Sequence, residues 1–347
     1  MSVEPLPVAT DTGAPLALDL GQSETQLVSA KTLIQYGNSG LGKSTEFRKA
    51  ARYFYELRGL PVRLVSAEDS SKQIFEDLIN IGVVEAFFVT KARNPLATFR
   101  QFARGAWPRE EKSGGVTWVP WEHQASAYIV EGLTSMAEQL LEYFRENGMF
   151  LREQANDAVV TGGERVSPAS QTAFGVAQDE MIAALKGYAA IPGIERVIWS
   201  AHEVAASEDG SSIRGPALVG SKKTSLIQKH VGTLLHIDAI PENGKIVRRV
   251  YFVRHPDPAQ PHITYPAKTT LPPEATRRLL SLYPGGYYDA DLESGLGEFL
   301  RSEAECLASS QSSGLAWKRE VDARRAGRVR GEEQHASALD TQDSRCV

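Results

Sequence analysis

With 347 residues, 42% hydrophobic and 23% charged, the chain has the make-up of a water-soluble globular protein: one large α/β domain with a tail, or two modest domains. Its apolar runs stop near strand length, short of the roughly 20 residues that cross a bilayer. Met1 to Leu20 lacks the basic start and apolar block of a secretory signal, so no membrane partner is expected. A formal net charge of −5 argues against a basic nucleic-acid coat while leaving room for a local basic groove, and two late cysteines, Cys306 and Cys346, fit a reducing cytoplasm better than a disulfide framework or zinc site.

Met1 to about Glu24 is rich in Pro, Thr, Gly and Ala without a sustained period and reads as a flexible leader. Thr32-Leu33-Ile34-Gln35-Tyr36 is the first strand and runs straight into a Gly-rich turn. Ser44 to Leu57 follows as a helix, with Phe47, Ala50, Ala51 and Phe54 at helical spacing and Gly59 as its stop. Pro61 to Ser66 is a second strand, closed by Ala67-Glu68-Asp69; Ile74 to Ile81 is helical and Ala86 to Val89 a third strand. Ala127 to Val130 makes a fourth, with a helix from about Thr134 to Arg145 after it. Asn147 to Ser170 has no period and reads as a long loop or insertion. Gln178 to Ala190 is a helix, Arg196 to Ser200 a fifth strand, and Glu203 to Lys223 a polar, glycine-rich loop. Val231 to Ile240 and Lys245 to Val253 are joined by Pro241-Glu242-Asn243-Gly244, a hairpin signal. A helical stretch covers Asp289 to Leu307. From Ser309 the chain is polar, and its basic cluster (Arg324, Arg325, Arg328, Arg330) lies among acids such as Glu320 and Asp322, as in a solvated tail. His236, His255 and His262 show no metal-ligand spacing and read as structural or surface residues.

Strands alternating with helices call for a mostly parallel central sheet covered by helices on both faces, and the closing hairpin for antiparallel edge strands. Where the first strand meets the first helix, Gly37-Asn38-Ser39-Gly40-Leu41-Gly42-Lys43-Ser44 matches the phosphate-loop pattern G-x-x-x-x-G-K-[ST] in full. Glycines let the backbone curl so that several N–H groups face phosphate oxygens, and the helix aims its positive end at the same anion. Lys43 supplies a compact cation for the β- and γ-phosphates, the Ser44 hydroxyl a Mg2+ ligand, and Thr45 a hydroxyl beside the helix start. ATP and Mg2+ are therefore the expected cofactors.

Hydrolysis needs one carboxylate to hold the metal and another to orient water, both at the carboxyl ends of neighbouring strands. Glu131 ends the run Ala127 to Val130 and suits the metal role, although the shorter Asp is commoner there; Glu68 suits water activation, with Asp69 its competitor. The fifth strand ends in Ala201-His202-Glu203, where His202 is placed to sense the γ-phosphate and signal to the next loop.

In this order, these pieces resemble the RecA-like recombinase core, and more closely the phage-encoded RecA-like nucleotide-binding proteins associated with single-strand annealing. The resembling segments are Tyr36 to Thr45, Ser66-Ala67-Glu68, Ile129 to Thr134 and Val197 to Glu203, with Gly215 to Gly220 and Ala267-Lys268 also similar. The resemblance implies a RecA-like P-loop NTPase core with Glu68 as catalytic glutamate, Glu131 on the magnesium strand and His202 linking ATP state to a DNA loop. It further implies a homo-oligomer in the host cytoplasm, with single-stranded DNA facing Asn147 to Ser170 and Val204 to Lys223. Lys268 would reach a neighbour's ATP, although Thr269 and Thr270 follow where a basic residue is common. The chain then divides into a leader (1–24), an ATPase core (25–275), a C-terminal helical extension (276–308) and a polar tail (309–347).

Candidate DNA contacts are Arg214, Lys222, Lys223 and Lys229 in and beside the second loop, Arg152 and Arg165 in the first, and Phe150 and Phe174 as stacking aromatics. Two other functions use the same loop: a motor or remodelling ATPase with a protein client, and a nucleotide-binding regulator with little turnover. A small-metabolite kinase fits less well, because no lid with clustered arginines stands out.

Overall fold

The computed structural model describes residues 31–89, 94–110, 116–120, 124–147, 159–161, 164–166, 171–204, 214–219, 227–257, 260, 263–293 and 295–312. The expected leader, the basic cluster at 324–330, Cys346, His262, Phe150, Arg152, Lys222 and Lys223 lie outside them.

Apolar strand runs separated by helices give an α/β fold of the expected class. Its strands are β1 (Thr32–Tyr36), β2 (Val62–Ser66), β3 (Val84–Phe88), β6 (Ala127–Glu131), β9 (Val197–Ala201), β10 (Thr233–Glu242), β11 (Lys245–Tyr251) and β14 (Tyr287–Asp289), in the spatial order β14-β11-β10-β1-β9-β6-β2-β3. From β10 through β3 all neighbours are parallel; β11 and β14 add antiparallel at the far edge. Asn243 (φ 51°) and Gly244 (φ 76°) both take left-handed backbone between the paired Glu242 and Lys245, the two-residue turn that suits a twisted hairpin.

Because strand side chains alternate, one sheet feeds two cores. Ile34, Tyr36, Val65, Tyr128, Val130, Val197 and Trp199 face α3 (Pro95–Ala103), α4 (Leu133–Glu146) and α5 (Gln171–Ala190). Leu33, Leu64, Ala127, Ile129, Ile198 and Ile237 face α1 (Lys43–Arg58), α2 (Ser71–Asn80), α6 (Pro273–Leu282) and a last helix, α7, over 295–312. Both faces of the parallel strands are thus dry, which is why these strands read as unbroken apolar runs.

Several elements depart from the expectation. α5 begins at Gln171 rather than Gln178, because its first turns bury the small Ala173 and Ala177, which give little periodic signal. The stretch expected as a loop at 147–170 contains β7 (Val159–Thr161) paired with β8 (Glu164–Val166). Between β3 and β6 the chain forms α3, started by Asn94, whose side chain accepts from Ala97 N–H at 2.9 Å, with Pro95 at the first helical position. The hairpin of β4 (Trp107–Glu110) and β5 (Val116–Val119) follows, its Trp107 and Trp118 packed on Phe102 with ring centroids 5.4 and 5.1 Å away. Short elements held by aromatic contacts carry too few residues for a periodic pattern.

Past α6, β14 joins the main sheet, and α7 runs to 312, beyond Leu307. It docks on α1, where Leu296 N–H donates to Glu46 Oε2 at 2.8 Å and Lys49 Nζ donates to the carbonyls of Ala290 and Leu292. Short antiparallel β12 (His255–Pro256) and β13 (Thr264–Tyr265) lie between β11 and α6. Among the described residues, no helix is long and apolar enough to cross a membrane.

Candidate active site

The phosphate-loop residues leave the carboxyl end of β1 and wind directly into α1. Gly40 (φ 80°) and Gly42 (φ 86°) adopt left-handed backbone, and Gly42 caps the helix, its carbonyl accepting from Glu46 N–H at 3.1 Å. Gly37 (φ 157°) permits a close approach: a Cβ there would sit 2.4 Å from the Ile237 carbonyl oxygen of β10. Asn38, Ser39 and Gly40 form the exposed crest, Leu41 and Ser44 are half-buried, and Thr45 is exposed. Lys43 Nζ donates to the carbonyls of Gly37 and Asn38, both at 2.9 Å, which holds the ammonium inside the curve. Burial pulls its pKa below the usual lysine range, while Glu68, Glu131 and Glu203 act in the opposite sense. One cation thus faces three acids, an excess of negative charge that a divalent cation would offset.

Glu131 lies at the end of β6, next but one to β1 in the sheet, and is fully buried. Strand alternation turns it to the α1 face, toward Ser44. Neither carboxylate oxygen has a partner of hydrogen-bonding geometry among the described residues. Burial pushes its pKa from 4.5 up to about 7; the hydroxyls of Ser44 and Ser71 ease that rise, Glu68 adds to it and Lys43 opposes it. A buried carboxyl that reaches the Ser44 and Ser71 hydroxyls without a fully formed hydrogen bond is costly unless something occupies it, and a hard cation shared with the Ser44 hydroxyl fits the donor set. Ser44 and Glu131 are the residues that would hold Mg2+.

The buried Glu131 carboxyl ties stability to pH even without nucleotide. A raised folded-state pKa means that folding favours the protonated acid, so Glu131's contribution is full below the unfolded carboxyl range and is lost as pH rises through about 7. Above that, a buried anion opposes folding by up to about 3 kcal/mol. Glu131→Gln is expected to raise the Tm at pH 8 without Mg2+ and to leave it near wild type at pH 5. A Tm at pH 8 below wild type in thermal denaturation would contradict this account of Glu131.

Glu68 follows β2 on a short turn, where Ser66 Oγ accepts from Glu68 N–H at 3.0 Å and bonds Ser71 Oγ at 2.9 Å. Its side chain is partly exposed, Oε1 lies 4.0 Å from His202 Nε2, and a Cβ on Gly132 would come within 3.3 Å of it. Asp69, its competitor, is exposed. His202, just past β9, donates its N–H to Thr134 Oγ1 at 3.2 Å, and its carbonyl accepts from Ala217 N–H at 2.7 Å. Ser200 Oγ accepts from Gly132 N–H at 2.7 Å. Glu68, Glu131, His202, Lys43 and Ser44 therefore share one carboxyl edge, as the sequence placed them. The supporting hydroxyls of Ser66, Ser71, Ser200 and Thr134 carry no motif of their own; a serine or threonine at each strand end or helix start beside the acids is their only sequence signal.

Beyond His202 the chain enters a buried polar cluster that no local sequence pattern announces. Glu203 pairs with Arg214 at 3.3 Å and with His236 Nε2 at 3.3 Å; Arg214 also reaches Asp257 at 3.7 Å. His236 Nδ1 lies 2.8 Å from His255 Nε2, and His255 Nδ1 lies 3.1 Å from the Pro256 carbonyl. That carbonyl only accepts, so His255 donates through Nδ1 and accepts from His236 through Nε2. Burial lowers the His255 pKa to about 4, with His236 adding to the effect. His236 and His255 are therefore buried and bonded to each other inside the fold rather than at the surface. Arg214 is a correction: held by Glu203 and Asp257 and only 10% exposed in its side chain, it is not a free cation for DNA. Phe174 packs against the core rather than standing open, Lys229 is exposed, and Lys268 Nζ donates to the Gln228 carbonyl at 2.6 Å. Arg165 falls in β8, where only the backbone is described.

No protein-family model matches this chain, and no curated protein sequence does. Among solved structures, it is similar to a KaiC-like protein of the hyperthermophilic archaeon Pyrococcus horikoshii OT3, at 13% identity and a TM-score of 0.34, over 64% of this chain and 78% of that one. It is also similar to the flagellar accessory protein FlaH of Methanocaldococcus jannaschii, at 11% identity and a TM-score of 0.33, over 64% and 77%. At these values neither likeness bears on function.

Proposed function

We propose that this chain is a RecA-like ATPase that binds ATP with Mg2+ on the Gly37–Ser44 loop, hydrolyses it, and couples the cycle to single-stranded DNA as a homo-oligomer. The observation that carries the ATPase reading is Glu131, whose buried carboxyl makes no fully formed hydrogen bond among the described residues and lies behind the half-buried Ser44, with Lys43 and Glu68 beside it. Mg2+, when bound, supplies charge neutralisation at the β- and γ-phosphates. Loop amides and the start of α1 orient the triphosphate, Lys43 stabilises charge on its terminal oxygens, and Glu68 accepts a hydrogen bond from the attacking water. His202, within reach of Glu68, is the positioning residue that would register the γ-phosphate.

Support for the DNA part is a matter of position. Val204 N–H donates to the Gly215 carbonyl at 3.0 Å and Glu203 bridges Pro216, so the segment expected to face DNA leaves and returns within two residues of His202. A change felt at the γ-phosphate has a short mechanical path to it. With Arg214 held internally, Lys222, Lys223 and the exposed Lys229 are the cations of the second loop left for the phosphate backbone in this reading, beside Arg152 and Arg165 of the first.

Phosphate release measured with and without single-stranded DNA tests the reading: several-fold stimulation is expected, and unstimulated turnover would redirect it to a protein client. Lys222→Ala with Lys223→Ala should weaken DNA binding and reduce the slope of log affinity against log salt by about 1 to 2. An unchanged affinity and slope would remove this loop as the DNA surface.

A further inference from the structure

The hairpin of β10 and β11 does more than finish the sheet. β1 ends at Tyr36 beside His236, but β10 continues through Glu242 and turns back at Asn243-Gly244, so the two strands stand as an arm past the phosphate loop. Ile237 closes over Gly37. Residues opposite one another in the arm share a face, and successive pairs on the α1 face are Ile237 with Val250, Ala239 with Arg248, and Pro241 with Ile246. The first pair is buried in the α1 core; the last ends at Ile246, which is 73% exposed. An apolar strip thus climbs out of the core beside the loop with one cation in its middle.

That cation is fixed in place. Arg248 Nε donates to Asp291 Oδ1 at 2.7 Å, Nη2 donates to the same oxygen, and the Arg248 backbone N–H donates to Oδ2 at 3.1 Å. Although burial works against it, these bonds hold the Asp291 pKa below the usual carboxylate range. The remaining nitrogen, Nη1, has no hydrogen bond among the described residues and lies where a Cβ on Gly42 would come within 2.4 Å of it. A clamped guanidinium with its free donor against the phosphate loop is built to meet something seated on that loop.

The direction of a bound nucleotide says what it meets. Glu131 and Glu68 lie across β9 on one side of β1, and the arm lies on the other. A triphosphate whose reactive end points toward those acids must carry its ribose and base toward the arm. We infer that the arm is the nucleoside-binding wall of the site: Arg248, oriented by Asp291, contacts the ribose and base, and Ala239, Pro241 and Ile246 form the apolar platform beside it. Guanidinium planes stack on bases as well as donating hydrogen bonds, so Arg248 serves both purposes. The inference rests on the phosphate-loop reading and names what distinguishes a nucleotide from a bare polyphosphate there.

Affinities for ATP and for inorganic tripolyphosphate, each with Mg2+, separate the two ends of the ligand. Arg248→Ala should weaken ATP about tenfold, near 1.4 kcal/mol, while tripolyphosphate stays within twofold of wild type. Ile246→Asp, a change at an exposed position, should weaken ATP and spare tripolyphosphate in the same way, so the test survives if the arginine variant folds poorly. Equal losses of ATP and tripolyphosphate in both variants would make the arm a support for the loop rather than a nucleoside contact, and would overturn the inference. So would ATP affinity unchanged in both. Wild-type protein that binds neither ligand would overturn the phosphate-loop reading itself.

Discussion

Replacing Lys43 with alanine is expected to lower the affinity for ATP by at least about a hundredfold and to abolish turnover. The ammonium is held by the Gly37 and Asn38 carbonyls at 2.9 Å, inside the curve where a triphosphate would lie. It is also the charge that faces Glu68, Glu131 and Glu203. Removing it deletes the attraction to the β- and γ-phosphates and leaves those acids to repel a polyanion, so the two losses act in the same direction. Equilibrium binding of a fluorescent ATP analogue with Mg2+ measures the result. Affinity within threefold of wild type would defeat the assignment of this loop to phosphate.

Glu68→Gln separates binding from chemistry. The amide keeps the size of the side chain and the turn held by Ser66 Oγ, so ATP affinity should stay within about threefold. What is lost is the carboxylate that orients and polarises water, and turnover should fall by roughly 10²- to 10⁴-fold. Substrate then accumulates on the enzyme, which single-turnover phosphate release would show as a slow phase without a binding defect. Near-normal release would move the role to Asp69, the exposed acid next in the chain.

The parts of this site that could be read in the sequence are those whose chemistry is local. Gly37 to Ser44 specifies its own backbone path, because glycine placement and the start of α1 decide it within one turn. Glu131 and Glu68 were visible because a charged residue ending an apolar run can only sit at a strand terminus. Asn243-Gly244 announced the hairpin by the left-handed backbone both positions require. What stayed hidden depends on partners distant in the chain. Arg214 looked like a loop cation until Glu203 and Asp257, 11 and 43 residues away, enclosed it. Arg248 meets Asp291 and the loop at Gly42 only because β11 doubles back beside β10. α3 and the Trp107–Val119 hairpin are too short for periodicity and are defined by aromatic contacts instead. The early start of α5 is masked by alanines, whose burial carries little contrast with their neighbours.

In the proposed function, a nucleotide and a magnesium ion dock together at the carboxyl edge between β1 and β6. Calorimetric titration of ATP into the full chain, with Mg2+ and again with EDTA, tests it directly. Saturable one-site binding in the micromolar range that weakens at least about tenfold on chelation is the predicted result. Absence of any binding heat at millimolar ATP with Mg2+, or an affinity indifferent to the metal, would contradict it.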